Sequence, residues 1–113
     1  MELVVVDGAG GPLRLVLKGR LDAAGTEQVE TVFAARIRAA AGHAMVDMTA
    51  VSFVGSLGLR MLVAAARAAD RAGRKVVIFG VQPAVAEVFR TTALDELIPV
   101  LVDEASARAQ IKA

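Results

Sequence analysis

The chain has 113 residues, of which 56% are hydrophobic and 22% are charged, and it contains no cysteine. Its formal net charge of +1 argues against a protein that binds nucleic acid through bulk electrostatics. Length and hydrophobicity predict one folded domain over residues 1–113. Without cysteine, disulfide and thiolate chemistry are excluded, and a reducing compartment is favoured. No basic leader and no apolar run of about 18 residues is found, so we expect a cytoplasmic protein without a membrane span.

The N-terminal segment has the pattern of an antiparallel hairpin. Residues 3–6 form a short β-branched run, and residues 13–18 alternate apolar and polar side chains. A glycine-rich link over residues 8–12 joins the two runs, which is typical of a hairpin with a longer loop. We expect residues 19–22 to close this unit.

After residue 24 the apolar spacing becomes that of an amphipathic helix. The predicted buried face consists of Val29, Val32, Phe33, Ile37 and Ala40. Thr26 or Gly25 is the predicted N-cap, and Gly42 the predicted end. His43 has no cysteine or second histidine as a partner, so it is expected to be a surface loop residue and not a metal ligand.

The middle of the chain alternates between strands and helices. Residues 44–48 predict a strand, residues 56–72 a helix that ends at Gly73, and residues 76–79 a strand buried on both faces. Pro83 opens a third helix, where its missing N–H costs nothing. The residues predicted to face inward on these two helices are Leu59, Leu62, Val63, Ala66 and Ala69, followed by Val85, Val88 and Phe89.

The C-terminal part completes the predicted fold. Residues 94–98 fit either a turn or the beginning of a strand, and residues 99–102 predict an edge strand because proline cannot donate to a ladder. Asp103 is the predicted cap of a last helix that ends near Lys112. The order β-β-α-β-α-β-α-β-α predicts an α/β domain with a mostly parallel central sheet, an N-terminal antiparallel hairpin and helices packed on it.

Enzyme motifs are poorly represented. A serine–histidine–aspartate set can be drawn on paper from Ser56, His43 and Asp22 or Asp47. Residues 54–58 lack the glycine two positions before the serine that a nucleophile elbow requires. The glycines of residues 8–12 lie in the hairpin link and not between a strand and a helix, so they are not a dinucleotide fingerprint. We therefore expect no catalytic residues, no metal and no cofactor.

The segment 47–59 carries the candidate site. It runs from a strand, through a turn, to Ser56 at the predicted start of a helix. On one interpretation the Ser56 hydroxyl caps the helix and contributes about 1 kcal/mol. On the other, the same oxygen accepts a phosphoryl group, whose charge of about −1.5 to −2 is tolerated by the free N–H groups and positive dipole end of the helix. The phosphate would then act on the surface that a partner contacts.

A basic stripe leads away from Ser56 along the same predicted helix. Arg60, Arg67 and Arg71 lie within about 40° of one another around the helix axis. The stripe is either an ordinary solvated face or a docking surface for an acidic patch of a partner.

The order of elements, the turn over residues 19–22 and the segment 46–62 together resemble the STAS domain, and in particular the bacterial anti-sigma factor antagonists. Residues 76–85 and 89–94 are also similar to the strand, turn and third helix of that family. The resemblance covers nearly the whole chain.

The resemblance implies a regulator that binds an anti-sigma factor, which is also a serine protein kinase, until phosphorylation abolishes the binding. Matched position by position, the phosphoacceptor falls on Ser56 and the helix-opening glycine on Gly58. Two positions depart from the family pattern. Gly55 replaces an acid, which removes a negative charge beside the acceptor, and Leu57 replaces a second hydroxyl residue, which suits a constitutive protein contact.

The residues expected to bind the partner are Asp22, Ser52, Gly55, Ser56, Leu57, Gly58, Leu59, Arg60 and Arg67. An alternative is a STAS subunit with a structural role, in a lipid-transport ABC system or a signalling scaffold, with an ABC ATPase or other STAS proteins as partners. The departures at residues 55 and 57 favour this alternative. A small hydrolase or nucleotide-binding enzyme, the third possibility, lacks a credible set of residues.

Overall fold

The structure is a computed structural model that describes residues 1–7 and 11–112, so most of the predicted hairpin link lies outside the described residues. The strands are β1 (Glu2–Asp7), β2 (Leu13–Leu21), β3 (Ala44–Val54), β4 (Val76–Phe79) and β5 (Val100–Leu101). The helices are α1 (Ala23–Ala39), α2 (Ser56–Arg71), α3 (Pro83–Thr91), α4 (Leu94–Leu97) and α5 (Glu104–Lys112). No helix in these described ranges has the length and apolar character needed to cross a membrane.

The strands form one mixed sheet in the order β1-β2-β3-β4-β5. β1 and β2 pair antiparallel, and every later pair is parallel, which confirms the predicted fold class and its N-terminal hairpin. β5 lies at the edge as expected. Pro99 precedes it, and the Pro99 carbonyl accepts a hydrogen bond from the Ile78 N–H at 2.9 Å.

The core lies mainly between the sheet and the first four helices. Val46 and Met48 of β3 pack into this larger cluster, together with buried residues of α1, α2, α3 and α4. On the opposite face of the sheet, Met45 packs in a smaller cluster against α5. All four residues of β4 are buried, with alternate side chains in the two clusters, which confirms the prediction of a strand covered on both faces.

β3 is much longer than the five residues predicted from the pattern. It continues to Val54 because β2 also continues, to Leu21, and the two strands pair over this extension. Two irregularities interrupt the β2–β3 register, and the buried residues Met48, Val51 and Val54 are three positions apart. Bulges of this kind hide a strand from a search for strict alternation, because the extra residue breaks the period of two.

The N-cap of α1 is Asp22, so the prediction of Thr26 or Gly25 is wrong. The Asp22 carboxylate accepts a hydrogen bond from the Gly25 N–H at 2.8 Å. Thr26 lies inside the helix and is buried. The helix ends at Ala39, before the predicted stop at Gly42.

Val32 was predicted to be buried but is 52% exposed. The residues of α1 that reach the core are Val29, Phe33 and Ile37, which recur every four positions. At about 100° per residue, Val32 is turned about 100° from the centre of this row. It therefore lies on the solvent side of the helix.

The buried face of α2 also differs from the predicted one. Its buried residues are Gly58, Met61, Leu62, Ala65 and Ala69, whereas Leu59, Val63 and Ala66 are half-buried. The difference arises because α2 packs against α1 as well as against the sheet, so the inward face turns towards α1. Leu59 and Val63, which were predicted to face inward, instead line a groove on the other side of α2.

The last helices follow the predictions with two changes. α3 begins at Pro83 and buries Val85 and Phe89, but Val88 is half-buried. In the segment 94–98, predicted as a turn or a strand start, Leu94–Leu97 instead form the short helix α4, and Ile98 is its C-cap. Asp103 caps α5 as predicted by accepting a hydrogen bond from the Ser106 N–H at 2.8 Å, and this bond lowers the pKa of the Asp103 carboxyl.

Candidate functional site

Ser56 is the first residue of α2 and is exposed to solvent. The N-cap is Gly55, whose backbone is extended and which has no side chain to cap the helix. The prediction that the Ser56 hydroxyl caps α2 is therefore wrong. β3 runs to Val54 and leaves a single residue before the helix, so the serine falls one position too late to cap it. Among the described residues its hydroxyl has no hydrogen-bond partner.

The turn that carries Ser56 is fastened to the end of β2. The Gly55 N–H donates to the Leu21 carbonyl at 3.0 Å, and the Leu59 N–H donates to the Gly55 carbonyl at 3.0 Å. Gly58 packs so closely on β2 that a Cβ there would lie 2.7 Å from Leu21 Cγ and 2.9 Å from the Leu21 carbonyl oxygen. Leu21 is fully buried, so the turn has a rigid base.

Arg20 and Phe53, which sequence reasoning did not include in the site, connect the Ser56 turn with the start of α1. They are cross-strand partners in β2 and β3, and the Arg20 guanidinium carbon lies 4.5 Å from the centre of the Phe53 ring. The Arg20 Nε also lies 3.6 Å from a carboxylate oxygen of Asp22. A cation over an aromatic face contributes about 0.5–1 kcal/mol at an exposed site. No sequence signal identifies this contact, because Phe53 lies beyond the predicted end of the strand at residue 48 and the pairing of Arg20 with Phe53 depends on the extension of β2 and β3.

Asp22 contributes a fixed negative charge at this surface. Its hydrogen bond from the Gly25 N–H lowers the pKa of the Asp22 carboxyl, and the positive charge of Arg20 lowers it further, although burial opposes both. The carboxylate is therefore ionised at neutral pH. Gly25 itself is buried, and a side chain there would collide with the Arg20 carbonyl.

The predicted partner residues separate into two groups. One group comprises the exposed or partly exposed residues Asp22, Ser52, Ser56 and Leu57. Together with Arg20 and Phe53, which were not predicted, this group is here called the turn surface. Leu57 is 41% exposed and Phe53 is 39% exposed, so this surface includes apolar side chains. Gly55 and Gly58 shape the turn, and Gly58 is buried. Leu59, Arg60 and Arg67 instead line a groove along α2.

This groove, here called the arginine groove, has a volume of about 690 Å³ and lies between α2 and the α3–α4 junction. Its α2 wall carries Arg60, Arg67 and Arg71, so the predicted stripe does face a single cleft. The opposite wall includes Leu94 and Leu97. Sequence reasoning missed this wall because residues 94–98 were not predicted to be helical.

His43 does not approach Ser56. The two residues flank β3, an 11-residue strand, at opposite ends. His43 lies in the loop between α1 and β3, as predicted, where it is half-buried and its Nδ1 accepts a hydrogen bond from the Lys75 N–H at 2.9 Å. It thereby joins the segments that lead into β3 and β4. Within residues 1–7 and 11–112, no three His, Asp or Glu side chains are grouped to hold a metal ion.

Comparisons with known proteins agree with the fold. Residues 4–102 match a family model described as "Mlab, STAS domain". The chain is 26% identical over 109 residues to BtrV of Bordetella bronchiseptica, a candidate anti-sigma factor antagonist, with coverage of 96% of this chain and 94% of BtrV. It matches an anti-sigma-factor antagonist (STAS) domain protein from Planctomyces limnophilus with a TM-score of 0.86, 20% identity and 98% coverage of each chain. The phosphorylated form of the Bacillus cell fate determinant SpoIIAA matches with a TM-score of 0.72 and 17% identity, over 97% of this chain and 99% of SpoIIAA.

Proposed function

The chain belongs to the STAS domain family, and from that premise we propose that it is an anti-sigma factor antagonist that acts by binding and not by catalysis. The names of the Bordetella and Planctomyces relatives support this proposal. The partner is an anti-sigma factor with serine kinase activity, which places the protein in the cytoplasm. The observation that carries the proposal is the exposed Ser56 beside exposed Leu57 on a turn fastened to β2.

The turn surface has the composition of a protein contact. Leu57 and Phe53 supply apolar area, while Asp22 and Arg20 supply one charge of each sign. Protein interfaces typically combine an apolar centre with a polar rim. Because Gly55 and Gly58 hold the turn tightly against Leu21, little ordering is required when a partner binds.

Phosphorylation of Ser56 would switch this contact without unfolding the domain. The kinase would transfer the γ-phosphoryl group of ATP to the Ser56 oxygen, with release of ADP and a proton. The added charge of about −1.5 to −2 lies at the start of α2, where free N–H groups and the helix dipole stabilise an anion. The same charge would have to be desolvated beside Leu57 when the partner binds, which is costly.

Gly55 has room for the acid that most of the family carries. Its φ of −100° suits any residue, and a Cβ would lie 3.3 Å from the edge of the Phe53 ring, which is itself partly exposed and able to shift. Gly55→Asp should therefore fold. If the missing acid limits recognition by the kinase, this variant will be phosphorylated faster than the wild type.

The test is capture of the kinase-type anti-sigma factors encoded in the same genome, measured by calorimetry. We expect Ser56→Asp and Leu57→Asp to weaken binding at least tenfold, because each places a charge in the contact. Thr31→Asp adds the same charge on the exposed face of α1 and serves as the matched control. Absence of any capture by the wild type, or equal binding by Ser56→Asp, would contradict the proposal. Incubation with ATP and mass spectrometry would separately test modification of Ser56.

A second candidate function is a structural STAS subunit in a lipid-transport ABC system or a signalling scaffold. Gly55 and Leu57 favour it, because they replace the acid and the second hydroxyl residue of the switchable members. The description of the matching family model also names Mlab. Co-purification from the native cell separates the two functions. An ABC ATPase retained by both the wild type and Ser56→Asp supports the structural role, and a kinase lost only from Ser56→Asp supports the switch.

A further inference from the structure

The arginine groove carries positive charge that has no counterion in the described part of the chain. Arg60, Arg67 and Arg71 line it, and none of them forms an ion pair within residues 1–7 and 11–112. Elsewhere, by contrast, Arg90 pairs with Glu87 one turn along its helix. The charged residues that line the groove are all arginines, so it is strongly basic.

Apolar side chains form the floor and the far wall of the same groove. Leu59 and Val63 of α2 are half-buried, and Leu94 is buried at the base of α4. Leu97 is 51% exposed on the wall that faces the arginines. A row of apolar side chains beside a row of unpaired cations is complementary to an amphipathic segment with acids along one edge.

The spacing of the cations favours an extended occupant over a small anion. Arg60 and Arg71 are 11 residues apart on α2, which corresponds to about 16 Å or three turns. One phosphate or carboxylate cannot contact both ends of such a row. A helix of about 12 residues has this length, and helices pack into grooves between helices.

We therefore infer that the arginine groove binds an acidic amphipathic helix of a partner protein. Its apolar face contacts Leu59, Val63 and Leu97, and its acids pair with Arg60, Arg67 and Arg71. Arg67 also lines an adjoining cavity with Asp70 and Glu96, and neither acid is within ion-pair distance of it.

A residue with strained backbone lies at the start of the far wall. Ala93 has a φ of +60°, the left-handed conformation that favours glycine, and within the described ranges it is the single non-glycine residue of this kind. It joins α3 to α4 and lines the groove, and its carbonyl accepts a hydrogen bond from the Glu96 N–H at 3.1 Å. Strained backbone tends to persist at binding sites because it sets a geometry that function requires.

The groove begins one turn after Ser56, so a partner held at the turn surface can also reach it. The inference rests on the proposed function for the identity of the protein that carries the acidic helix. The binding of such a helix is independent of the proposed function, because the groove contains none of the turn-surface residues.

The test uses a fluorescein-labelled synthetic peptide with leucines along one helical face and three glutamates along its edge, spaced to match the arginines. Fluorescence anisotropy should show binding that weakens as salt increases, because surface charges are screened. We expect Arg67→Glu combined with Arg71→Glu to weaken binding at least tenfold. The matched control combines Arg36→Glu with Arg38→Glu on the exposed side of α1, and it should stay within twofold of the wild type.

Several results would overturn the inference. They are equal losses in the two double variants, equal binding of a peptide with lysine at the glutamate positions, and complete displacement of the peptide by inorganic phosphate or myristate. Leu97→Ser is a second variant, which should also weaken peptide binding because it removes an apolar contact. Leu97 is exposed, so its replacement leaves the core intact. Leu57→Asp separates the two proposals, because it should no longer bind the anti-sigma factor but should still bind the peptide. If the wild type captures the anti-sigma factor but does not bind the peptide, the inference about the arginine groove fails and the proposed function stands.

Discussion

The close approach of α2 to β2 makes Gly58→Ala the most informative single substitution. The new Cβ would lie 2.7 Å from Leu21 Cγ, 2.8 Å from Leu21 Cδ2 and 2.9 Å from the Leu21 carbonyl oxygen. Leu21 is fully buried, and its carbonyl accepts the Gly55 N–H, so neither the side chain nor the backbone can easily move. Relief of the overlap requires α2 to shift away from β2 at the position of the Ser56 turn.

The magnitude follows from two opposing effects. Overpacking of this kind costs about 1–3 kcal/mol. Alanine gains up to about 1 kcal/mol over glycine as a helix former, and less in the first turn of a helix. We therefore expect Gly58→Ala to lower the free energy of unfolding by about 1–2 kcal/mol and the melting temperature by roughly 4–8 °C.

The assay is urea denaturation followed by far-UV circular dichroism, because the chain contains no tryptophan or tyrosine to report by fluorescence. Gly42→Ala is the control, since a Cβ at Gly42 meets no atom within 4 Å. Its free energy of unfolding should stay within about 0.5 kcal/mol of the wild type. In a Leu21→Ala background, where Cγ and Cδ2 are absent, the effect of Gly58→Ala should become smaller. If Gly58→Ala and Gly42→Ala are equally stable, the reasoning about close packing fails.

Three further predictions concern the same surface. Ser56→Ala should change the free energy of unfolding by less than about 0.5 kcal/mol, whereas a loss near 1 kcal/mol in urea would mean that the hydroxyl caps α2. Asp22→Asn should lower the melting temperature at neutral pH, since the folded-state pKa of Asp22 is lowered. The stabilisation by the ionised Asp22 carboxylate is present above the unfolded-state pKa of about 3.9 and is lost as pH falls through the folded-state pKa. If the melting temperatures of the wild type and Asp22→Asn still differ in stronger acid, the stabilisation does not come from this charge. Ala93→Gly should raise the free energy of unfolding by about 1 kcal/mol in thermal melts, and a decrease would show that no strain is relieved.

The elements that were predicted correctly have local determinants. Four consecutive apolar residues identify β4, Pro83 opens α3, and Asp103 caps α5 through a bond to the N–H three residues later. Each signal depends on neighbours within one or two turns of chain. The hairpin is of the same kind, since its two strands are joined by a short link.

The errors arise where distant segments meet. The late part of β3 exists because β2 pairs with it, and the bulges that allow this pairing remove the alternating pattern. The same extension carries β3 to Val54 and leaves Gly55 as the N-cap of α2. The error at α1 is of another kind, since Asp22 caps the helix locally through the Gly25 N–H three residues later. The buried face of α2 turned away from its predicted position because α1 packs beside it.

For the candidate site, spacing along the chain was enough to predict that Ser56 lies at the start of a helix, between Gly55 and Gly58, and that a stripe of arginines follows it. Helical periodicity suffices for that, because it depends only on spacing along the chain. The tertiary structure adds that the Ser56 hydroxyl has no hydrogen-bond partner among the described residues, that Gly58 is pressed against Leu21 and that α4 turns the stripe into a groove. These features depend on contacts between residues far apart in sequence, which no local spacing records.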